Sequence, residues 1–193
     1  MQDTRKRGFV GRTWARLTSP SARWSVLSLL LLGLVIGAAG VIGTQVVVAK
    51  TGTNEFCGTA CHSMQWVYKE YRESSHFANA SGVQATCHHC HIPHDYPELL
   101  WYKARAGMRD VVGELRGVID TEEKFKQART AMAERVWAEY KTNDSANCRT
   151  CHDFTPQVLA AQSEKAQARH KNRRNDNKTC IDCHTGVAHA DPE

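Results

Sequence analysis

The sequence predicts a mainly α-helical protein, with a single N-terminal transmembrane helix followed by a small domain that has little or no β-sheet. Two observations lead to this expectation. Residues 24–49 form an uncharged apolar run long enough to cross a bilayer as a helix. The rest of the 193-residue chain is more polar and contains four cysteine pairs. Helical periodicity is found between the second and the third pair. We therefore expect a basic tail over 1–23, an anchor over 24–49 and one folded domain over 50–193.

The anchor is predicted from its length and its flanks. Its 26 residues exceed the roughly 20 that a membrane-crossing helix needs. A cleaved signal peptide would have a shorter apolar core and a small-x-small cleavage site, so an uncleaved anchor is favoured. The positive-inside rule then puts the N-terminus in the cytoplasm and the domain on the periplasmic side of a bacterial inner membrane. Gly33 and Gly37 could mark a packing face and hence a homo-oligomer.

The net charge of +5 comes entirely from the first 23 residues. These hold six basic residues against Asp3, whereas the other 170 residues carry 19 basic and 19 acidic residues. The excess positive charge is therefore a topology signal, and no nucleic-acid-binding surface is predicted.

All eight cysteines fall in four pairs, and a histidine follows each pair directly. The pairs and their histidines are Cys57, Cys61 and His62; Cys87, Cys90 and His91; Cys148, Cys151 and His152; Cys180, Cys183 and His184. Three pairs read C-x-x-C-H, which is the attachment signature of c-type haem, and the first has one extra residue. A zinc half-site or a redox dithiol would not need a histidine after every second cysteine. The pattern predicts four covalently attached haem c groups, with the adjacent histidines reaching the irons.

The haems are expected to form the core of the domain. Only 8% of the residues are aromatic, and much of the apolar content lies in the anchor. Four porphyrins would supply the apolar area that the side chains lack.

Six further histidines are candidates for the second axial positions. They are His76, His88, His89, His94, His170 and His189. His88 and His89 lie inside the second motif's own loop, so we expect both to be solvent-exposed. His189 follows His184 by five residues, which favours binding to a neighbouring haem over its own.

Two helices are predicted between the second and third motifs. The first runs from Pro97 to about Arg116, and it places Lys103, Gly107 and Asp110 on one face. The glycine would let a flat ring approach the backbone, although an ordinary solvated face remains an alternative. The second helix begins near a capping-box pattern at residues 120–123 and ends near Lys141.

These motifs resemble the NapC/NirT family of membrane-anchored multihaem cytochromes c, including its NrfH-type members. The resemblance covers the anchor and the whole motif region, and it is carried by residues 56–64, 74–76, 81–95, 143–154 and 179–189. It implies a protein that takes electrons from membrane quinol and passes them to a periplasmic reductase or a soluble cytochrome.

The resemblance also implies roles for individual residues. Met64 would bind the first iron, with His62 as the alternative because the first motif has an extra residue. Lys103 would be the second ligand of haem 2, with His94 as its rival. Asp110 would lie by the open face of haem 1, near the quinol. His76 would serve haem 4 and His189 haem 3, while His170 has no assigned ligand role.

The function expected from this resemblance is quinol oxidation, with Asp110 as the proton acceptor. Lys103 would belong to the same site, and its amine would have to be neutral if it binds iron. Three alternatives stay open. The path could run backwards as a quinone reductase fed by a soluble haem donor. The chain could instead be a passive membrane-tethered electron relay, or a haem-based gas sensor, without a quinone site.

Overall fold

The computed structural model describes residues 9–11, 14, 24, 26–173 and 176–192. No strand occurs in these ranges, so the predicted mainly α-helical fold is confirmed there. The described chain forms two compact units that divide between Val47 and Val48. The charged residues of the predicted basic tail, from Asp3 to Arg23, lie outside the described residues.

The helices are short except for three. In chain order they are α1 (Val26–Lys50), α2 (Asn54–Thr59), α3 (Gln65–Glu73), α4 (Cys87–His91), α5 (Glu98–Leu115), α6 (Glu122–Thr142), α7 (Pro156–Ala160) and α8 (Glu164–Asn172). Single 3-10 turns cover His62–Met64, Cys148–Thr150 and Cys180–Asp182. Within the described ranges, α1 is the one helix long and apolar enough to cross a membrane, and its membrane-length stretch has no buried residue.

Hydroxyl side chains start five of these helices. In each, a Ser or Thr just before the first turn accepts a hydrogen bond from the backbone N–H three residues on, which satisfies one of the unpaired donors of that turn. These capping residues are Thr53, Thr86, Thr121, Thr155 and Ser163. Short polar segments can therefore begin helices that their apolar content alone would not support.

The predicted pair of long helices is confirmed, with small shifts. Helix α5 begins one residue after Pro97 and ends one residue before Arg116. Helix α6 begins at Glu122, because Thr121 is its cap and not the preceding Asp120. The sequence showed little periodicity over 50–95, and the nine-residue helix α3 was not predicted.

The apolar core made by side chains is small. Five apolar side chains are buried in the described part of the chain: Tyr71, Leu99, Phe125, Tyr140 and Ile181. Phe125 stacks on Trp66 with ring centroids 5.5 Å apart, which joins α6 to α3. A core of this size is what we expect where porphyrins provide much of the apolar area.

The C-terminal segment is tied to α3 and α6 by one ion pair. Arg129 donates two hydrogen bonds to the Glu70 carboxylate, at 2.7 and 2.8 Å, and a third to the carbonyl of Ala190. The backbone N–H of Ala190 in turn donates to Glu70. Burial raises the pKa of Glu70, but the hydrogen bonds and charge of Arg129 outweigh burial and leave this pKa below its ordinary value. Both side chains are mostly buried, so this pair is less screened than a surface pair.

We expect Arg129→Met to lower the free energy of unfolding by about 2 kcal/mol, because it leaves a largely buried carboxylate without its partner. The lowered pKa of Glu70 means that its stabilisation is present above the ordinary glutamate pKa and is lost as the pH falls through the folded-state value. The variant should therefore show a weaker loss of stability on acidification than the parent protein.

Guanidinium unfolding of the haem-loaded protein, followed by circular dichroism, measures both effects. Glu122→Gln is the matched control, because it removes an exposed ion pair with Lys126 and should change little. Equal stability of the Arg129→Met variant and the parent at neutral pH would contradict this role.

Candidate functional site

Three of the four cysteine motifs share one local structure. In each, the backbone N–H of the histidine follows the first cysteine by one helical turn. The N–H of His152 donates to the carbonyl of Cys148 at 3.0 Å, and the N–H of His184 donates to the carbonyl of Cys180 at 2.9 Å. Helix α4 contains the same turn from Cys87 to His91. Residues at i, i+3 and i+4 of a turn lie on one side, so both thiols and the imidazole can face a single flat group.

The first motif has a different backbone. Cys57 lies inside α2, which ends at Thr59, and Cys61 follows in extended conformation before a separate 3-10 turn over His62–Met64. The extra residue thus breaks the single turn that the other three motifs share. Cys57 and Cys61 belong to two local elements instead of one.

Glu114 holds the second of these elements against α5. Its carboxylate accepts hydrogen bonds from the backbone N–H of His62 at 2.9 Å and from both the N–H and the hydroxyl of Ser63. These bonds, led by the Ser63 hydroxyl, lower the pKa of Glu114. A carboxylate at the first N–H groups of a helical turn is favourable because those donors have no partner within the turn.

The four motifs follow one another in space in the order of the chain. The Cys57 and Cys87 thiols are in hydrogen-bond contact, which lowers the pKa of Cys57 to about 7 and raises that of Cys87. Burial raises the pKa of Cys148 to about 11, and the charges of Cys180 and Cys90 add to this rise. Thiols that influence one another electrostatically must be near neighbours, so motif 1 adjoins motif 2, motif 2 adjoins motif 3 and motif 3 adjoins motif 4.

Three polar side chains tie each motif to the next. Asn54, on the helix that carries Cys57, accepts the N–H of Cys87 at 2.8 Å. Asn147, just before the third motif, donates to the carbonyls of Cys90 and Ile92 at 2.6 and 3.2 Å. Ser145 is 1% exposed, and its hydroxyl accepts the N–H of Ile181, within the fourth motif.

Three histidine pairs connect the motifs to other parts of the chain. The ring centroids are 6.2 Å apart for His91 and His189, 6.1 Å for His76 and His152, and 6.0 Å for His170 and His184. Two imidazoles that bind one iron from opposite faces have centroids about 6 Å apart, because each metal–nitrogen bond is about 2 Å long. Each pair joins one motif histidine to one histidine outside any motif.

The surroundings of these histidines also fit axial ligation. The Nδ1 atom of His76 faces the carbonyl of Val187 at 3.0 Å, and that of His170 faces the amide oxygen of Gln162 at 2.6 Å. Both acceptors require a proton on Nδ1, which leaves the lone pair on Nε2 for a metal. His189 has a buried Nδ1 without a hydrogen-bond partner. Burial lowers the pKa of His91 to about 4, so that this imidazole is neutral, as a metal ligand must be.

The pairs differ from those that the family resemblance implied. The resemblance assigned His76 to haem 4, but its ring lies against His152 of the third motif. It assigned His189 to haem 3, but that ring lies against His91 of the second motif. His170, which was given no ligand role, lies against His184. Sequence separation alone does not reveal which distant histidine folds back onto which motif.

Lys103 and His94 lie elsewhere in the second motif's surroundings. Lys103 donates to the carbonyl of Thr51 at 3.1 Å, and its burial lowers the pKa of the amine. His94 contacts the carbonyl of His89 through Nε2 at 3.1 Å. His88 was expected to be exposed together with His89; His89 is exposed, but His88 is half-buried because it packs beside Gly52.

His62 and Met64 flank Ser63, which Glu114 binds, but they differ in exposure. His62 is exposed and its ring nitrogens face the Gln65 amide, at 3.1 Å for Nε2, while Met64 is half-buried. None of the ring pairs between described residues joins His62 to another histidine.

Asp110 lies on the side of α5 that faces the first motif. Burial raises the pKa of Cys61, and the negative charges of Glu114 and Asp110 add to this rise, which places both carboxylates near this thiol. Asp110 itself is well exposed and pairs with Arg109 at 2.9 Å. Glu114 was missed in the sequence, although it follows Asp110 by four residues and so shares its helix face.

The chain is similar to a known protein family along most of its length. A family model described as "NapC/NirT cytochrome c family, N-terminal region" matches residues 19–193. The chain is 47% identical over 182 residues to the cytochrome c-type protein TorC of Escherichia coli K12, covering 94% of this chain but only 46% of TorC, or about half of that protein's length.

A second relative matches along almost its full length. The cytochrome c-type protein NapC of Escherichia coli K12 is 40% identical over 190 residues, which are 98% of this chain and 94% of NapC. A crystal structure of the cytochrome c nitrite reductase NrfHA complex bound to the HQNO inhibitor covers 84% of this chain and 90% of the matched chain, with 25% identity and a TM-score of 0.49. The family match and the near-complete alignment with NapC show that the chain belongs to the NapC/NirT cytochrome c family.

Proposed function

We propose that this cytochrome c is anchored in the bacterial inner membrane, oxidises membrane quinol near its first motif and passes the electrons to a periplasmic reductase. The supporting observation is the spatial order of the motifs. Motif 1 lies close behind the end of α1 and beside two carboxylates, and motifs 2, 3 and 4 follow it in sequence. Four covalently attached haems, when bound, would supply one-electron acceptors in series.

We assign the axial positions from the geometry of the histidine pairs. His91 with His189 would hold haem 2, His152 with His76 haem 3, and His184 with His170 haem 4. For haem 1, the exposed His62 and the half-buried Met64 favour Met64 as the iron ligand. Lys103 would then bind no iron. It would lie beside the first two motifs, where burial lowers the pKa of its amine.

Asp110 is the proposed proton acceptor. Oxidation of a quinol to a quinone releases two electrons and two protons, so the site needs a base at the point where the electrons leave. Asp110 is exposed and near Cys61, and Arg109 holds its carboxylate in place. Glu114 is already engaged by His62 and Ser63, so it is better suited to positioning the first motif than to accepting a proton.

The third and fourth motifs are the proposed contact region for the reductase. In each of these two motifs the second cysteine and the histidine after it are exposed, whereas both cysteines of the first two motifs are half-buried. A polar cleft beside the third and fourth motifs, of about 700 Å³, is lined by four basic residues, Lys141, Arg149, Arg173 and Lys178. Asp144 and Asp182 also line it and form ion pairs with the first three, so the lining keeps a net charge of +2. An acidic partner surface would match this charge.

Asp110→Asn should lower quinol oxidation by about 100-fold or more, because the amide cannot accept a proton. The haem content should be unchanged. The measurement is reduction of the visible haem bands after a quinol analogue is mixed with the oxidised protein in liposomes. Asp176→Asn, an exposed aspartate on another part of the domain, is the matched control. Undiminished reduction in the Asp110→Asn variant would remove the proposed base, and an inert parent protein would favour the relay or the sensor.

His170→Ala should convert one of the four haems to the high-spin state, because haem 4 loses an axial ligand. His94→Ala is the matched control and should leave all four haems as they are in the parent. Electron paramagnetic resonance of the oxidised proteins distinguishes the two spin states. A high-spin haem in the His94→Ala variant, with none in the His170→Ala variant, would contradict our assignment.

Glu114→Ala should release the turn at His62–Met64 and change the ligation of haem 1, while Glu114→Gln should retain part of the clamp through its amide oxygen. The readout is the long-wavelength charge-transfer band of a methionine-bound ferric haem, recorded at a temperature where circular dichroism shows both variants to be folded. A band of unchanged intensity in the alanine variant would show that Glu114 does not position Met64.

A further inference from the structure

Helix α5 has a continuous apolar face exposed to solvent. With 100° per residue, this face spans Leu100, Trp101, Ala104, Met108, Val111 and Leu115. Trp101 is 71% exposed, Met108 69% and Leu115 83%, and all of these residues lie on one helix. The opposite face packs inwards through the buried Leu99. An exposed apolar surface of this length normally marks an interaction site.

The two edges of this face carry different groups. Arg105, Arg109 and Arg116 follow one edge, with Glu98 as the acid at its start. Lys103, Asp110 and Glu114 follow the other edge, which is the side turned towards the first motif. Such a helix, apolar on one face and arginine-rich beside it, is typical of segments that lie in the interface of an anionic bilayer.

The start of α5 is bound to the chain where it leaves α1. The Lys103 amine donates to the carbonyl of Thr51, which is one residue beyond the end of α1 at Lys50. Tyr96, just before the helix, is half exposed, and Trp101 is the most exposed aromatic residue of the helix. Amphipathic aromatic residues are enriched at the membrane interface.

We propose that α5 lies in the interfacial layer of the membrane, with its apolar face among the acyl chains and its arginines at anionic lipid headgroups. A bilayer is favoured over a protein partner because the helix is bonded to the first residues after the membrane-spanning segment. The domain would then contact the membrane through a helix of its own, in addition to the anchor.

This placement gives lipid-dissolved quinol a direct route to Asp110, an extension that rests on the proposed function. Gly107 lies at the boundary between the apolar face and the Lys103–Asp110 edge. A Cβ added at Gly107 would meet no atom within 4 Å, so the backbone is open at this point. A quinol could thus move from the acyl chains across Gly107 to the carboxylate without passing through water.

Photocrosslinking tests the membrane contact independently of quinol chemistry. The full-length haem-loaded protein is placed in nanodiscs of phosphatidylethanolamine and phosphatidylglycerol, with p-benzoylphenylalanine at position 108 or, as the matched control, at the exposed position 138 of α6. After irradiation, mass spectrometry should find a phospholipid adduct for Met108 and none for Ala138. A protein adduct at position 108, or none at all, would overturn the proposal and leave the proposed function standing.

Quinols with different tails test the route. Met108→Glu should raise the KM for a long-tailed quinol in liposomes by about tenfold, because the added charge disfavours insertion of the helix, and should leave kcat unchanged. The KM for a short-tailed, water-soluble quinol should not change, and Ala138→Glu should affect neither. Equal effects on both quinols would indicate damage to the site and contradict the route. Failure of the unmodified protein to oxidise either quinol would refute the proposed function, while the lipid adduct would still decide the membrane contact.

Discussion

The structure depends on hydrogen bonds that join each cysteine motif to the next. Only five apolar side chains are buried among the described residues of the domain, too few to position four motifs by packing alone. Asn54, Asn147 and Ser145 instead make hydrogen bonds to backbone groups of the following or preceding motif, and two of these four bonds are no longer than 2.8 Å. Backbone groups are better anchors than side chains because they hold the motif's own turn in place. As a result, motifs that follow one another in the sequence are also neighbours in space.

The C-terminus shows how a distant segment is brought to a motif. Arg129 and Glu70 together hold both backbone groups of Ala190, the residue after His189. His189 is thus kept against His91, about 100 residues earlier in the chain. The same logic applies to His76, whose Nδ1 contacts the carbonyl of Val187. Two second-ligand candidates are therefore positioned by one C-terminal segment, and the cost of ordering that segment is offset by a largely buried, doubly hydrogen-bonded ion pair.

The first motif differs in backbone structure from the other three, and this difference has a structural cause. The extra residue separates Cys57 and Cys61 into two elements, so the turn that fixes the histidine in the other motifs is absent here. Glu114 takes over that positioning from α5, and Asp110 lies one turn before it on the same helix. Helix α5 thus presents a carboxylate clamp, a candidate base and an exposed apolar face around one motif. This combination distinguishes the membrane end of the chain from the motifs that follow.

The sequence by itself determined the elements and the chemistry that depend on local spacing. Four cysteine pairs with a following histidine, the apolar run and the helices of residues 97–116 and 120–141 could all be read because each is encoded within a few turns of chain. Which distant histidine lies near His91, His152 and His184 was decided only by tertiary structure. His76, His170 and His189 are separated from the histidines they face by 76, 14 and 98 residues, and no local pattern records how the chain returns. Glu114, Asn54 and Ser145 were missed for the same reason: each makes a hydrogen bond to a backbone group far away in the sequence, and such a group carries no sequence signature.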